Sequence, residues 1–135
     1  MKESFFPMGY VAEDLVERYL SNRGHKVLTQ NYSGRGFECD LVTRVKNTLV
    51  LVEVKFRDRN IEHIELESLL SPKKKRCLLK GINSFISLRT QKYDTIRCDL
   101  ALACYEQKHH SARKKPYNLS TGIRLYYYED ISLEA

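Results

Sequence analysis

Three residues set the chemical question. Asp40 and Glu53 are separated by twelve residues, and Lys55 stands two positions beyond Glu53. Two carboxylates can share a divalent cation, and a neighbouring ammonium can offset negative charge developing on a phosphate. The setting makes the pattern unusual, because Glu53 and Lys55 continue an apolar run, "LVLVEVKF". Side chains alternate between faces along a strand. Leu49, Leu51, Glu53 and Lys55 then share one face, and Val50, Val52, Val54 and Phe56 share the other. Apolar residues on both faces mark a central strand covered on both sides. Placing Glu53 and Lys55 there costs on the order of several kcal/mol unless they are paired or bind an ion.

The preceding "FECDLVTRV" supplies a partner strand with Glu38, Asp40, Val42 and Arg44 on one face. A two-residue loop at Lys46-Asn47 sets Val45 opposite Thr48. Counting back places Asp40 opposite Glu53 and Glu38 opposite Lys55. Directly opposed Cβ atoms lie about 4.5–5.5 Å apart. Like charges at that distance repel unless a cation sits between them. A plainer reading competes: a polar strand end closed by a Glu38–Lys55 ion pair.

The remaining segments must position this pair. From Tyr10 to Arg23, the residues Ala12, Leu15, Val16, Tyr19 and Leu20 recur at helical spacing, with Gly24 as a C-cap. Residues 26–32 predict a short strand, followed by a turn at "SGRG". Residues 58–70 are polar and mixed, which predicts a loop with a short helical piece. Ser71 and Pro72 suit the N-cap and first position of a helix running to about Leu88 and burying Leu78, Ile82, Phe85 and Ile86. "TIRCDLALACYE" and "IRLYYYEDI" predict two further strands, with a basic loop, "QKHHSARKKPYNLSTG", between them. The expected order is α-β-β-β-α-β-β: an α/β chain with a mixed sheet flanked by helices. A single domain over residues 1–135 is the expectation for this length.

The net charge of +6 and a pI near 9.2 favour acidic partners such as nucleic acid or a membrane surface. No run approaches the roughly 18 apolar residues of a membrane span, and the N-terminus lacks the apolar stretch of a signal peptide. No membrane partner and a cytoplasmic location are expected. Cys39, Cys77, Cys98 and Cys104 form no CxxC pair, which predicts buried small hydrophobes rather than zinc ligands or disulfides. "SPKKKR" puts Lys73, Lys74, Lys75 and Arg76 in the first turn of a helix, where cations oppose the helix dipole. Phosphate binding at a helix N-terminus would offset that cost. Lys74, four residues before Leu78, leans toward the buried face. His109, His110, Arg113, Lys114 and Lys115 suit a loop adding nonspecific phosphate affinity. "LYYYE" suits sheet packing better than base stacking.

Asp40 followed by Glu53-Val54-Lys55 has the form of the PD-(D/E)XK nuclease motif. More specifically, the chain resembles the YraN-like family, small bacterial proteins assigned to that superfamily. The segments that carry the resemblance are "GYVAEDLVERYL", "QNYSGRGFECDL", "LVEVKFR", "SPKKKRCLLKGINSFI" and "IRCDLALA", in order over roughly residues 9–104. Phe37 stands where that pattern has Gly, Ser33 where it has Arg, and "DRNIEHIELESLL" replaces a glycine-containing segment. The resemblance implies a restriction-endonuclease-like fold and metal-dependent hydrolysis of DNA phosphodiester bonds, in branched or single-stranded DNA, with Mg²⁺ or Mn²⁺ as cofactor. It implies that Asp40, Glu53 and the Val54 carbonyl hold the metal. Lys55 would orient or help deprotonate the attacking water. Glu13 matches an extra acid used by archaeal-type Holliday-junction resolvases; its alternative is a plain exposed helix acid. Glu38 is either an outer group beside the metal or the partner of Lys55. Lys74 matches a family Lys, and Lys73, Arg76 and Arg57 complete the DNA-binding set. Arg97 and Asp99 also match, and a structural ion pair is expected at Asp99. Branched-DNA enzymes of this superfamily often pair as dimers, and by that analogy the resemblance implies a homodimer. The alternative function is a noncatalytic nucleic-acid-binding protein that keeps the fold, its acids having structural roles.

Overall fold

The computed structural model describes residues 6–57, 69–105, 117–120 and 122–134. The chain forms α1 (Phe6–Asn22), β1 (Lys26–Gly34), β2 (Phe37–Val45), β3 (Thr48–Arg57), α2 (Pro72–Ser87), β4 (Thr95–Tyr105), β5 (Tyr117–Ser120) and β6 (Ile123–Tyr128). This is the expected order with one addition. The short strand β5 lies in the segment read as a basic loop and pairs antiparallel with β6. His109, His110, Arg113, Lys114 and Lys115 lie outside the described residues, as do residues 58–68. The strands form one six-stranded sheet in the order β1-β2-β3-β4-β6-β5. Among the described strands only β3 and β4 are parallel neighbours, so the sheet is mixed.

Local chemistry explains the connections. Val45 pairs with Thr48, which confirms the two-residue loop at Lys46-Asn47. Lys46 takes a φ of +53° there, a conformation that favours glycine or asparagine. Arg44 Nε donates to the Lys46 carbonyl at 2.9 Å, and Asp94 N–H donates to the Asn47 carbonyl at 2.9 Å. Parallel neighbours need a crossover, and α2 lies within it. Ser71 Oγ accepts from Lys74 N–H at 3.0 Å, with Pro72 in the first turn. These contacts satisfy an exposed helical donor and place no donor where none is needed.

The two helices cover opposite faces of the sheet. Val50 and Val52 pack with Val16 and Leu20 of α1. Leu49 and Leu51 pack with Leu78 and Phe85 of α2. β4 is buried without interruption from Cys98 to Cys104. All four cysteines are free; three are buried and Cys77 is partly so. Tyr126 and Tyr127 are buried too, which assigns them to sheet packing and not to base stacking. Among the described residues, no helix is long and apolar enough to cross a membrane.

Candidate active site

The β2–β3 ladder runs in register from Val45–Thr48 to Leu41–Val52 and then ends. One step further, counting places Asp40 opposite Glu53. At that point a side chain replaces the main chain: Val54 N–H donates to Asp40 Oδ2 at 2.7 Å. Face alternation along β2 also breaks there. Cys39 packs with the α2 layer, whereas Leu41 packs with the α1 layer. Asp40 therefore sits at the point where β2 and β3 part.

Glu53 is buried, with 4% of its surface exposed. Its Oε2 lies 3.5 Å from Lys55 Nζ and 3.3 Å from Lys74 Nζ. Its Oε1 is buried with no hydrogen-bond partner. Lys74 Nζ also donates to the Glu38 carbonyl at 3.0 Å. The expected Glu38–Lys55 pair does not form, because the ladder ends before those residues oppose each other. Lys55 turns to Glu53 instead, and Glu38 offers its main-chain carbonyl to Lys74.

The electrostatics follow from this crowding. Burial, reinforced by Asp40, pushes the Glu53 carboxyl from 4.5 up to about 7, against the opposing pull of Lys74 and Lys55. Burial also raises Asp40, and the Val54 N–H, Lys74 and Lys55 only partly offset it. Glu13, half-buried on α1, is raised by burial and then by the charges of Asp40 and Glu38. It is no plain exposed acid; the fold brings it into the field of the same carboxylates. Burial works against the charge on Lys74, but Glu53, Asp40 and Glu38 outweigh it and hold the ammonium protonated.

Lys74 and Glu38 also border a groove of about 690 Å³ between the β1–β2 turn and the first turns of α2; Asp40, Glu53 and Lys55 are not among its lining residues. Lys73, Lys74, Arg76 and Lys80 line it. Sequence reading did not single out Lys80, although its position four after Arg76 places both on one helical face. Arg57 lies outside this groove, at the end of β3, where its Nη1 donates to the Phe56 carbonyl at 2.9 Å. Phe37, one of the departures from the resembled pattern, packs on Tyr32 with ring centroids 5.3 Å apart. A Cβ at Gly34 of β1 would stand 2.5 Å from the Phe37 ring, so the glycine leaves it room. Asp99 forms the structural pair expected of it. It is fully buried and accepts from Arg97, the Tyr127 hydroxyl and the Asp130 N–H.

Among the described residues, no three His, Cys, Asp or Glu side chains stand together closely enough to hold a metal ion. Two lysine ammoniums occupy Glu53 Oε2 in this arrangement. The donor chemistry nonetheless suits a hard cation. Asp40 and Glu53 offer oxygen ligands, and Glu53 Oε1 is buried and unsatisfied.

A family model described as "Uncharacterised protein family UPF0102" matches residues 12–103, a span that holds Glu13, Glu38, Asp40, Glu53, Lys55 and Lys74. The chain belongs to the UPF0102 family. A UPF0102 protein of Flavobacterium johnsoniae is 30% identical over 87 residues, covering 64% of this chain and 70% of that protein. One from Carboxydothermus hydrogenoformans is 39% identical over 79 residues, covering 58% and 66%. One from Desulforapulum autotrophicum is 32% identical over 100 residues, covering 74% and 81%. The matched span of the UPF0102 family thus holds every proposed acid and Lys73, Lys74, Arg76 and Lys80 of the groove, and it ends before β5 and β6.

Proposed function

We propose that this UPF0102 protein is a divalent-metal-dependent endonuclease of the PD-(D/E)XK type that hydrolyses phosphodiester bonds in branched or single-stranded DNA. The observation that carries the reading is that Asp40 and Glu53 stand within each other's field where β2 and β3 part, with Lys74 linking Glu53 to a groove lined with cations. Asp40, Glu53 and the Val54 carbonyl would hold Mg²⁺ or Mn²⁺, with Glu13 as an additional carboxylate. The cation would supply Lewis-acid stabilisation of the phosphate and an activated water. Lys55 orients that water or assists its deprotonation and offsets charge on the phosphate. Glu38 backs the acids. Lys73, Lys74, Arg76 and Lys80 take the phosphates of the bound strand, and Arg57 extends that surface from the end of β3. The site is proposed to work in the cytoplasm and as a homodimer, in line with branched-DNA enzymes of the superfamily.

A second reading has one observation in its favour. No three metal-ligating side chains converge among the described residues, and lysines already neutralise Glu53. A noncatalytic nucleic-acid-binding protein would need no more than this. Labelled single-stranded, duplex and four-way-junction DNA, incubated with Mg²⁺ or Mn²⁺, separate the two. Cleavage by the wild type that Lys55→Ala loses supports the nuclease. Binding without cleavage supports the scaffold.

A further inference from the structure

Lys74 raises a question that phosphate binding alone does not answer. A lysine meant only for DNA would extend into solvent, where its ammonium is hydrated and mobile. Lys74 instead turns inward from the first turn of α2, with its side chain 23% exposed. Its Nζ is fixed by two oxygens, Glu53 Oε2 at 3.3 Å and the Glu38 carbonyl at 3.0 Å. Those oxygens come from two different strands, at the place where the strands separate. Of the oxygens assigned above to the metal, the ammonium takes one, Glu53 Oε2, and it adds the Glu38 carbonyl from the neighbouring strand. It also gives the buried Glu53 carboxylate a counter-charge, which an unpaired buried charge would lack. The other carboxylate oxygen, Glu53 Oε1, remains buried and unpaired. Lys74 therefore completes only half of the coordination that Glu53 can give.

We propose that Lys74 is a built-in counter-cation: it occupies the cation position between β2 and β3 and is displaced when a divalent ion binds, which frees its ammonium for the groove. The idea rests on the metal site proposed above. Lys74 and Lys55 both sit on Glu53 Oε2, the carboxylate oxygen that a divalent ion would compete for. The exchange couples two events. The divalent ion releases a cation from Glu53, and that cation is attached to a helix whose exposed face lines the groove. Metal binding would then strengthen the hold on a DNA phosphate.

The test is calorimetric titration of Mg²⁺ into the wild type, Lys74→Met and Lys75→Met at pH 8. Met keeps the length of the side chain and removes the charge. Lys75→Met removes the same charge from the same helix, and the Lys75 Nζ contacts the Glu134 carbonyl rather than Glu53. Lys74→Met is expected to bind Mg²⁺ at least about tenfold more tightly than the wild type, equivalent to about 1.4 kcal/mol. Lys75→Met is expected to match the wild type. Equal affinity in all three, or weaker binding by Lys74→Met, overturns the exchange while leaving a metal site in place. No binding in any protein overturns both the exchange and the nuclease reading. A second readout needs no variant: the lysine side-chain NMR signal of Lys74 in the wild type should shift to that of a hydrated ammonium on saturation with Mg²⁺. An unchanged signal at saturation would refute displacement.

Discussion

Glu53→Gln should stabilise the protein at neutral and basic pH. In the native chain, burial and Asp40 raise the Glu53 carboxyl from 4.5 to about 7. Between those values the native chain keeps a proton that the unfolded chain has released. Stability then falls as pH rises through this window and levels off above it. At about 1.4 kcal/mol per pH unit, the whole rise corresponds to about 3 kcal/mol. The ion pairs to Lys55 and Lys74 are already included, since they pull the carboxyl down while burial pushes it up. Gln resembles the protonated acid in size and shape and cannot ionise. Urea denaturation at pH 4, 6 and 8 would measure the difference. The two proteins should be equally stable near pH 4, and the variant should lead by about 3 kcal/mol at pH 8. A Gln variant that is less stable than the wild type at pH 8 would refute the reasoning. It would mean that the two ammoniums outweigh burial.

Other consequences are testable on the same protein. Asp40→Ala should lower the Glu53 pKa by removing a neighbouring negative charge, read from carboxyl carbon shifts in an NMR titration; a rise would contradict the proximity of the two acids. The same substitution leaves the Val54 N–H without its acceptor, which should cost about 1–3 kcal/mol, and Asp40→Asn should recover most of that. Lys46→Gly should raise stability by about 0.5–1 kcal/mol in urea denaturation, because Lys46 holds a φ of +53°. In a salt titration of DNA binding, Arg76→Ala with Lys80→Ala should flatten the slope of log K against log salt by about one for each phosphate that is no longer neutralised.

Counting alone revealed much of the site. The Lys46-Asn47 loop fixes the register at Val45–Thr48, and that register carries Asp40 to the level of Glu53. Alternating faces identified β3 as doubly covered, and Leu49, Leu51, Val50 and Val52 are all buried. Ser71 and Pro72 marked the start of α2. Three features were less legible. The parting of β2 and β3 depends on a side-chain carboxylate outcompeting a main-chain partner for Val54 N–H, and periodicity carries no trace of that. The pairing of Lys74 with Glu53 depends on how the crossover returns α2 to the sheet. β5 is a four-residue edge strand of Tyr, Asn, Leu and Ser, and Asn is among the residues depleted in strands. Glu13 was legible only as an open choice, since helix spacing put it beside the apolar stripe without fixing its distance from Asp40.

If Asp40 and Glu53 exist to hold a divalent cation, crystals of the protein soaked in Mn²⁺ and measured at the manganese absorption edge will show it directly. One strong anomalous peak is expected within coordination distance of the carboxylate oxygens of Asp40 and Glu53, lost in Asp40→Asn crystals. No peak at those oxygens in a fully soaked crystal, or one that persists without the Asp40 carboxylate, would contradict the metal site.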